Sequence, residues 1–91
     1  MIDIEFDPQK NLLNQTKHGM PLAFAAQLDW DAALVWLDER FDDAEYRMIA
    51  LAPETQTVYY VAFVDKGDCY RVISLRKATR QEVLYYVQQF E

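Results

Sequence analysis

The spacing of apolar and polar residues changes once along the chain, at about residue 33. Before that point, Asp7-Pro8 predicts a helix start, because Asp caps free backbone N–H groups and Pro fits the first helical position. The helix is predicted to run to about His18, since Gly19 tolerates the left-handed conformation of a C-terminal cap. Pro21 then starts a second short helix, so this part is predicted as helix, tight turn, helix.

After residue 33, short segments rich in Val, Ile, Tyr and Phe alternate with polar loops. These segments are ALVWL, YRMIALA, VYYVAFV and CYRVISL. They predict four strands, and the short loops favour an antiparallel meander. The third segment is apolar on both faces of its pleat, so we expect it in the middle of the sheet. Ile2, Ile4 and Phe6 alternate with acids, which fits either a strand or an extended arm.

A capping-box pattern from Thr79 to Glu82 predicts the start of a last helix. The apolar stripe expected to pack on the sheet consists of Val83, Tyr86, Val87 and Phe90. The predicted fold class is therefore α+β, with two N-terminal helices, a four-stranded antiparallel sheet and a C-terminal helix. The length supports one domain over residues 1–91.

Composition restricts the class of protein. A hydrophobic content of 52% supplies a packed core, and no segment approaches the length of a membrane span. The N-terminus is acidic where a signal peptide would be basic, so we expect a cytoplasmic protein without a membrane partner. Cys69 has no second Cys for a disulfide, and with one His a structural zinc site is excluded. We expect no metal and no other cofactor.

The net charge of −6 opposes general attraction to nucleic acid, which depends on Lys and Arg displacing counterions from phosphates. The charges are not evenly distributed, however. The cations that fall within one short stretch are Lys66, Arg71, Arg76, Lys77 and Arg80. The acids that crowd another are Asp38, Glu39, Asp42, Asp43 and Glu45. A local basic patch on an acidic protein is compatible with this distribution.

Three motifs occur in order along the chain. The first comprises Phe6, Asp7, Pro8, Lys10, Asn14, Lys17, His18, Gly19, Phe24 and Ala25. The second is Glu45-Tyr46-Arg47. The third comprises Arg71, Ile73, Ser74, Arg76, Lys77, Ala78, Thr79 and Glu82. In this order and at this spacing, they resemble the BrnT family of bacterial toxins.

This resemblance implies a RelE-like fold and a metal-independent endoribonuclease, an RNA hydrolase that inhibits growth as the toxin of a type II toxin-antitoxin system. It also implies a cognate BrnA-like antitoxin, a ribbon-helix-helix protein that neutralises the toxin. RNA would be the substrate, and DNA would be reached only through the antitoxin.

Cleavage of RNA by side chains alone requires a proton acceptor, cations for the charged phosphorane and a proton donor for the leaving oxygen. The first helix offers a polar stripe on one face, formed by Lys10, Asn14, Lys17 and His18. We expect Lys10 and Asn14 to bind RNA, and His18 or Lys17 to transfer protons. Leu13 and Thr16 would then face the core. Alternatively, the stripe is the solvated side of the helix, and His18 only interacts with the last carbonyls.

The last strand offers further candidates. Without a bulge, one face of its pleat carries Val72, Ser74 and Arg76, and the other carries Arg71, Ile73, Leu75 and Lys77. The face with Ile73 and Leu75 resembles a core face, so we expect Arg76 to be exposed and to face phosphate together with Ser74, which would bind RNA. Arg71 should then lie at an edge or pair with an acid. Lys77 and Arg80 are expected to be docking charges for RNA.

Glu45 and Arg47 share a face at the entry to the second strand, where they form an ion pair or take part in catalysis. The favoured interpretation is an endoribonuclease in which Arg76 acts with Arg47 or Arg71 on the phosphate. The alternative is a catalytically weak or inactive module that binds the antitoxin and tunes its DNA binding.

Overall fold

A computed structural model of the protein describes residues 2–40 and 46–90. The helices of this part are α1 (Pro8–His18), two 3₁₀ helices at Leu22–Gln27 and Trp30–Ala32, and α2 (Arg80–Gln88). Its strands are β1 (Asp3–Glu5), β2 (Leu34–Leu37), β3 (Arg47–Glu54), β4 (Thr57–Asp65) and β5 (Cys69–Lys77). No helix in these two ranges is long and apolar enough to cross a membrane.

The predicted limits of α1 are confirmed by its caps. The Asp7 carboxylate accepts a hydrogen bond from the backbone N–H of Gln9 at 2.8 Å, and Pro8 is the first helical residue. At the other end, Gly19 adopts a φ of 72° and donates its N–H to the Gln15 carbonyl at 2.8 Å. Local capping chemistry therefore places both ends of the helix.

The predicted second helix is a 3₁₀ helix, not an α-helix. Leu22, Ala25 and Leu28 are buried at intervals of three residues. A 3₁₀ helix has three residues per turn, so this spacing places all three side chains on one side. The second 3₁₀ helix, which begins at Trp30, was not predicted. The Trp30 ring packs edge-on against Phe63 at a centroid distance of 5.2 Å.

In residues 2–40 and 46–90, the sheet has five strands in the order β1-β5-β4-β3-β2. The antiparallel meander from β2 to β5 and the central place of the third predicted strand, β4, are confirmed. The prediction of a four-stranded antiparallel sheet is wrong, because β1 pairs parallel to β5. This pairing joins segments more than sixty residues apart, as in the pair Asp3 and Cys69. Local patterning carries no information about such a contact.

A bulge in β5 changes which of its residues share a face. Phe63 pairs with Val72 and Ala62 pairs with Ser74, so Ile73 is left without an opposite residue. Val72 and Leu75 consequently belong to the same buried cluster, and the regular alternation predicted for this strand is wrong. The residues that share the other face of β5 are Arg71, Ser74 and Arg76, opposite Val64, Ala62 and Tyr60 of β4. We call it the arginine face.

The main core lies on the opposite side of the sheet, where the first 3₁₀ helix covers β4 and β5. The arginine face is partly covered by α2, whose Tyr86 hydroxyl donates to the Ala32 carbonyl at 2.7 Å. The capping box that begins α2 is confirmed. Its predicted apolar stripe is only half correct, because Val83 and Tyr86 are half-buried whereas Val87 and Phe90 are exposed.

Candidate functional site

A shallow groove of about 280 Å³ runs between α1 and the outer edge of β5. It is lined by Lys10, Leu13, Asn14, Lys17, His18, Ile73 and Ser74. The groove exists because β1 pairs with only the first three residues of β5 and leaves the rest of that edge to α1. The structure thus brings the predicted helical stripe together with Ser74 of the last strand.

Asn14 anchors this arrangement and is only 5% exposed. Its amide nitrogen donates to the carbonyls of Leu75 and Met20, both at 2.8 Å. Its amide oxygen accepts from the N–H of Leu75 at 3.1 Å. One side chain thus satisfies both backbone groups of Leu75, as a neighbouring strand would. The expected role of Asn14 in binding RNA does not fit its burial, and its contacts are structural.

This inward position of Asn14 also corrects the predicted orientation of α1. Leu13 was expected to face the core but is 69% exposed and lines the groove. Thr16 is exposed as well, and its hydroxyl donates to the Leu12 carbonyl at 3.1 Å. A polar residue occupies the buried position because the unpaired edge of β5 requires a donor and an acceptor there. Periodicity of apolar residues could not predict this.

His18 is half-buried and lines the groove at the C-terminal end of α1. Burial lowers the pKa of His18, and the charges of Lys17 and Arg76 lower it further. A His that only capped the helix would gain from the helix dipole as a cation, which raises the pKa. The opposite direction favours a neutral imidazole at physiological pH, and such a group can accept a proton.

Arg76 shares the arginine face of β5 with Ser74, which lines the groove, and its charge contributes to the lowered pKa of His18. Its Nη1 and Nη2 donate to the two oxygens of Glu82 at 2.8 and 3.0 Å. Its guanidinium carbon lies 3.9 Å from the centroid of the Tyr60 ring. The expectation of a simply exposed arginine is therefore wrong, because the side chain is only 29% exposed.

The sequence did not indicate three residues of this site: Glu82 and Tyr60, which contact Arg76, and Arg40. Glu82 was recognised as part of the third motif and of the capping box, but not as a site residue. Tyr60 lies on the arginine face of β4, where only the register with β5 brings it beside Arg76. Arg40 donates to the Tyr60 hydroxyl at 3.4 Å and to both oxygens of Asp38 at 2.8 Å. Nothing in the sequence pattern marks Arg40, because it belongs to a loop.

Comparison with known proteins supplies the context for this geometry. Residues 6–82 match the family described as the ribonuclease toxin, BrnT, of type II toxin-antitoxin systems. The chain belongs to the BrnT family. Among curated proteins, no relative matches the chain. Membership of a toxin-antitoxin family implies an antitoxin as partner.

The BrnT match includes every predicted site residue, but the fold does not gather them all. Arg47 and Arg71 both lie opposite Val64 of β4, whereas Arg76 lies opposite Tyr60. Four residues of strand correspond to about 13 Å. This distance, together with the stacking of Arg76 on Tyr60, separates Arg76 from Arg47 and Arg71.

The remaining BrnT candidates lie at the margins of the site. Arg71 pairs with Glu5 of β1 in the sheet, and its charge helps to lower the pKa of Glu5, after the hydrogen bonds from Cys69 and Lys66. Lys77 and Arg80 are exposed at the end of β5 and the start of α2. Glu45 lies outside the described residues. Within them, no three His, Cys, Asp or Glu side chains form a group that could hold a metal ion.

Proposed function

We propose that this BrnT-family protein is a metal-independent endoribonuclease that cuts RNA in the cytoplasm and slows growth. The observation that carries the proposal is the groove between α1 and β5, where Lys10, Lys17 and His18 lie together. Arg76 lies on the same face of β5 as Ser74 of the groove, and its charge favours the neutral form of His18. The same place therefore offers a proton acceptor and several cations to a bound phosphodiester.

The chemistry proposed for this groove is an attack by the ribose on its own phosphate. His18 accepts the proton of the 2′-hydroxyl, and the 2′ oxygen forms a bond to phosphorus. Arg76 stabilises the added negative charge, since its guanidinium matches two phosphate oxygens. The bond from phosphorus to the 5′ oxygen breaks, and Lys17 supplies the proton to that oxygen. The products are a 2′,3′-cyclic phosphate and a 5′-hydroxyl.

The proposal is tested by incubating the purified protein with a defined RNA in EDTA. We expect cleavage that leaves cyclic phosphate ends, and a loss on the order of 10²-fold when His18 is replaced by Gln. Lys66→Gln is the matched control, because Lys66 pairs with Glu5 at 3.3 Å beside β1. Equal rates for wild type and His18→Gln would exclude His18, and a wild type that leaves the RNA intact would exclude the ribonuclease.

The partner we propose is a BrnA-like ribbon-helix-helix antitoxin, which also provides the only link to DNA. The groove combines an exposed apolar residue, Leu13, with the cations Lys10 and Lys17. An acidic amphipathic segment of the antitoxin would complement both features and exclude RNA at the same time. In the complex, hydrogen exchange should slow in α1 and in the second half of β5. Unchanged exchange there would contradict this binding site.

The alternative function is a binding module that complexes the antitoxin and tunes its DNA binding without cutting RNA. The net charge of −6 favours it, as does the pairing of Arg76 with the Glu82 carboxylate. The two functions differ in one result. A module without activity would show the slowed exchange in α1 and β5 but would leave RNA intact in the EDTA assay.

A further inference from the structure

We infer that Glu82 and Tyr60 are positioning residues, which hold the Arg76 guanidinium so that one fork of its N–H groups faces a scissile phosphate. The start of α2 would then belong to the active site. This inference rests on the proposed ribonuclease function and deepens it. Neither residue itself touches RNA in the proposed mechanism.

The donors of Arg76 are divided between the protein and a free edge. Nη1 donates to Glu82 at 2.8 Å and to the Lys77 carbonyl at 3.2 Å, while Nη2 donates once, to Glu82 at 3.0 Å. A guanidinium has five N–H donors in a rigid plane. Within the described residues, the Nε–H and the second Nη2–H have no hydrogen-bond partner. These two lie on the same edge of the guanidinium and form a fork that matches two phosphate oxygens.

The Glu82 carboxylate is itself fixed. Its Oε1 also accepts from the backbone N–H of Thr79 at 2.7 Å, and the Thr79 hydroxyl accepts from the N–H of Glu82 at 3.2 Å. This capping box ties the carboxylate to the first turn of α2. Glu82 is half-buried, and the hydrogen bond from Arg76 is the main cause that lowers its pKa, so it stays ionised near neutral pH.

Tyr60 restricts the remaining freedom of Arg76. The ring lies 3.9 Å below the guanidinium carbon and therefore sets the plane of the group, while Glu82 sets its direction within that plane. An arginine side chain loses rotamer freedom when it is immobilised. Immobilisation before substrate binding removes this cost from the transition state, and a misplaced catalytic group can cost on the order of 10²-fold in rate.

Glu82→Gln tests the role of the carboxylate directly. Gln retains an acceptor for the Thr79 N–H and suits a capping box, so α2 should still form. We expect kcat for RNA cleavage to fall at least about tenfold with KM nearly unchanged, because orientation acts on the transition state. Glu5→Gln is the matched control, since it removes one carboxylate that pairs with Lys66 away from the groove.

Tyr60 provides an independent test that leaves the cap of α2 untouched. Tyr60→Leu removes the ring under Arg76 and should lower kcat as Glu82→Gln does. Tyr60→Phe retains the ring and loses only the hydroxyl that accepts from Arg40, so it should cut RNA at nearly the wild-type rate. A lower kcat in both Glu82→Gln and Tyr60→Leu would support positioning. If one of the two variants fails to fold, the other still tests the inference.

Three results would overturn the inference in distinguishable ways. If wild type cuts RNA and both Glu82→Gln and Tyr60→Leu cut it equally well, Arg76 needs no positioning. If Glu82→Gln cuts faster, the carboxylate masks Arg76 instead of orienting it. If wild type does not cut RNA at all, the proposed function fails first, and this inference fails with it.

Discussion

Asn14 and Arg76 come from different motifs and serve the molecule differently, although Asn14 contacts β5 and Arg76 belongs to it. Asn14 is neutral and buried, and its amide binds the backbone of Leu75 and Met20. Arg76 is charged and 29% exposed, and one edge of its guanidinium remains without a hydrogen bond in the described part of the chain. Membership of a motif therefore does not identify a catalytic residue. Burial and hydrogen-bond saturation separate the two roles.

The difference originates in the sheet. Among the described residues, no strand pairs with the outer side of β5 beyond Arg71, so the N–H and carbonyl of Leu75 would lack partners without Asn14. An amide side chain supplies the required donor and acceptor without bringing a charge into the core. The backbone imposes no such requirement at Arg76, whose partners are a carboxylate and an aromatic ring.

The largest expected effect on stability is that of Asn14→Leu. The substitution leaves the Leu75 N–H and two carbonyls without partners in a buried place, which should destabilise the fold by on the order of 3 kcal/mol. Urea unfolding followed by circular dichroism measures this change. Gln15→Leu is the control, because Gln15 is exposed on the same helix. A loss below about 1 kcal/mol would remove the structural role assigned to Asn14.

Arg76→Ala should affect RNA cleavage strongly and stability only slightly. We expect RNA cleavage to fall on the order of 10²-fold and growth inhibition to disappear, because a charge aimed at the transition state is lost. The free energy of unfolding should fall by only about 1 kcal/mol, since the pair with Glu82 is partly solvated. Cleavage and urea unfolding should be measured on one preparation. Retained toxicity in a folded Arg76→Ala protein would contradict the catalytic role.

The pH dependence of RNA cleavage tests whether His18 acts as the proton acceptor. Its pKa is lowered, chiefly by burial, so the neutral base persists to a pH below the ordinary value of about 6.5. The rate should therefore rise with pH through a midpoint below 6.5 and level off above it. His18→Gln should abolish this limb. A midpoint above 6.5 would indicate a stabilised cation, as expected for a helix cap and not for a base.

The lowered pKa of His18 should also make the stability of the fold rise with pH. A folded-state pKa below the unfolded value means that the unfolded chain binds the proton more readily. The contribution of neutral His18 is thus present above about pH 6.5 and is lost as the pH falls through the lowered pKa. As the solution becomes more acidic across this window, the urea midpoint of wild type should fall relative to that of His18→Gln.

The smallest effect is expected from Lys77→Ala combined with Arg80→Ala. Both side chains are exposed beside Arg76, so they should contribute to RNA affinity and not to the rate. With a net charge of −6, the salt dependence of wild-type binding should be shallow, about two or three phosphates neutralised, and flatter still in the double variant. Filter binding at several salt concentrations gives the slope. A wild-type slope of eight or more would contradict a local patch.

Sequence patterns predicted the elements whose signals are local. The caps at Asp7, Gly19 and Thr79 placed the ends of α1 and the start of α2, and the apolar character of β4 placed it centrally. The bulge at Ile73 escaped prediction because Ile73 is apolar like Val72 and Leu75 of the same strand. The parallel pairing of β1 escaped it because that contact is distant in sequence.

The candidate site, like the fold, could be predicted from the sequence only where its signals are local. The composition of the groove could be predicted from helical spacing at Lys10, Lys17 and His18. The bulge, which is not visible in the sequence, determines that Arg71, Ser74 and Arg76 share a face. Glu82 and Tyr60 became site residues only when the register between β4 and β5 and the packing of α2 were known.

The central claim is that His18 and Arg76 act on one phosphate, and a double-mutant cycle tests it most directly. Single-turnover cleavage of one RNA in EDTA should be measured for wild type, His18→Gln, Arg76→Ala and the double variant. Residues that act as a unit give strongly non-additive losses, so the double variant should cut little more slowly than either single variant. Losses that multiply would place the two residues in independent roles and contradict the account.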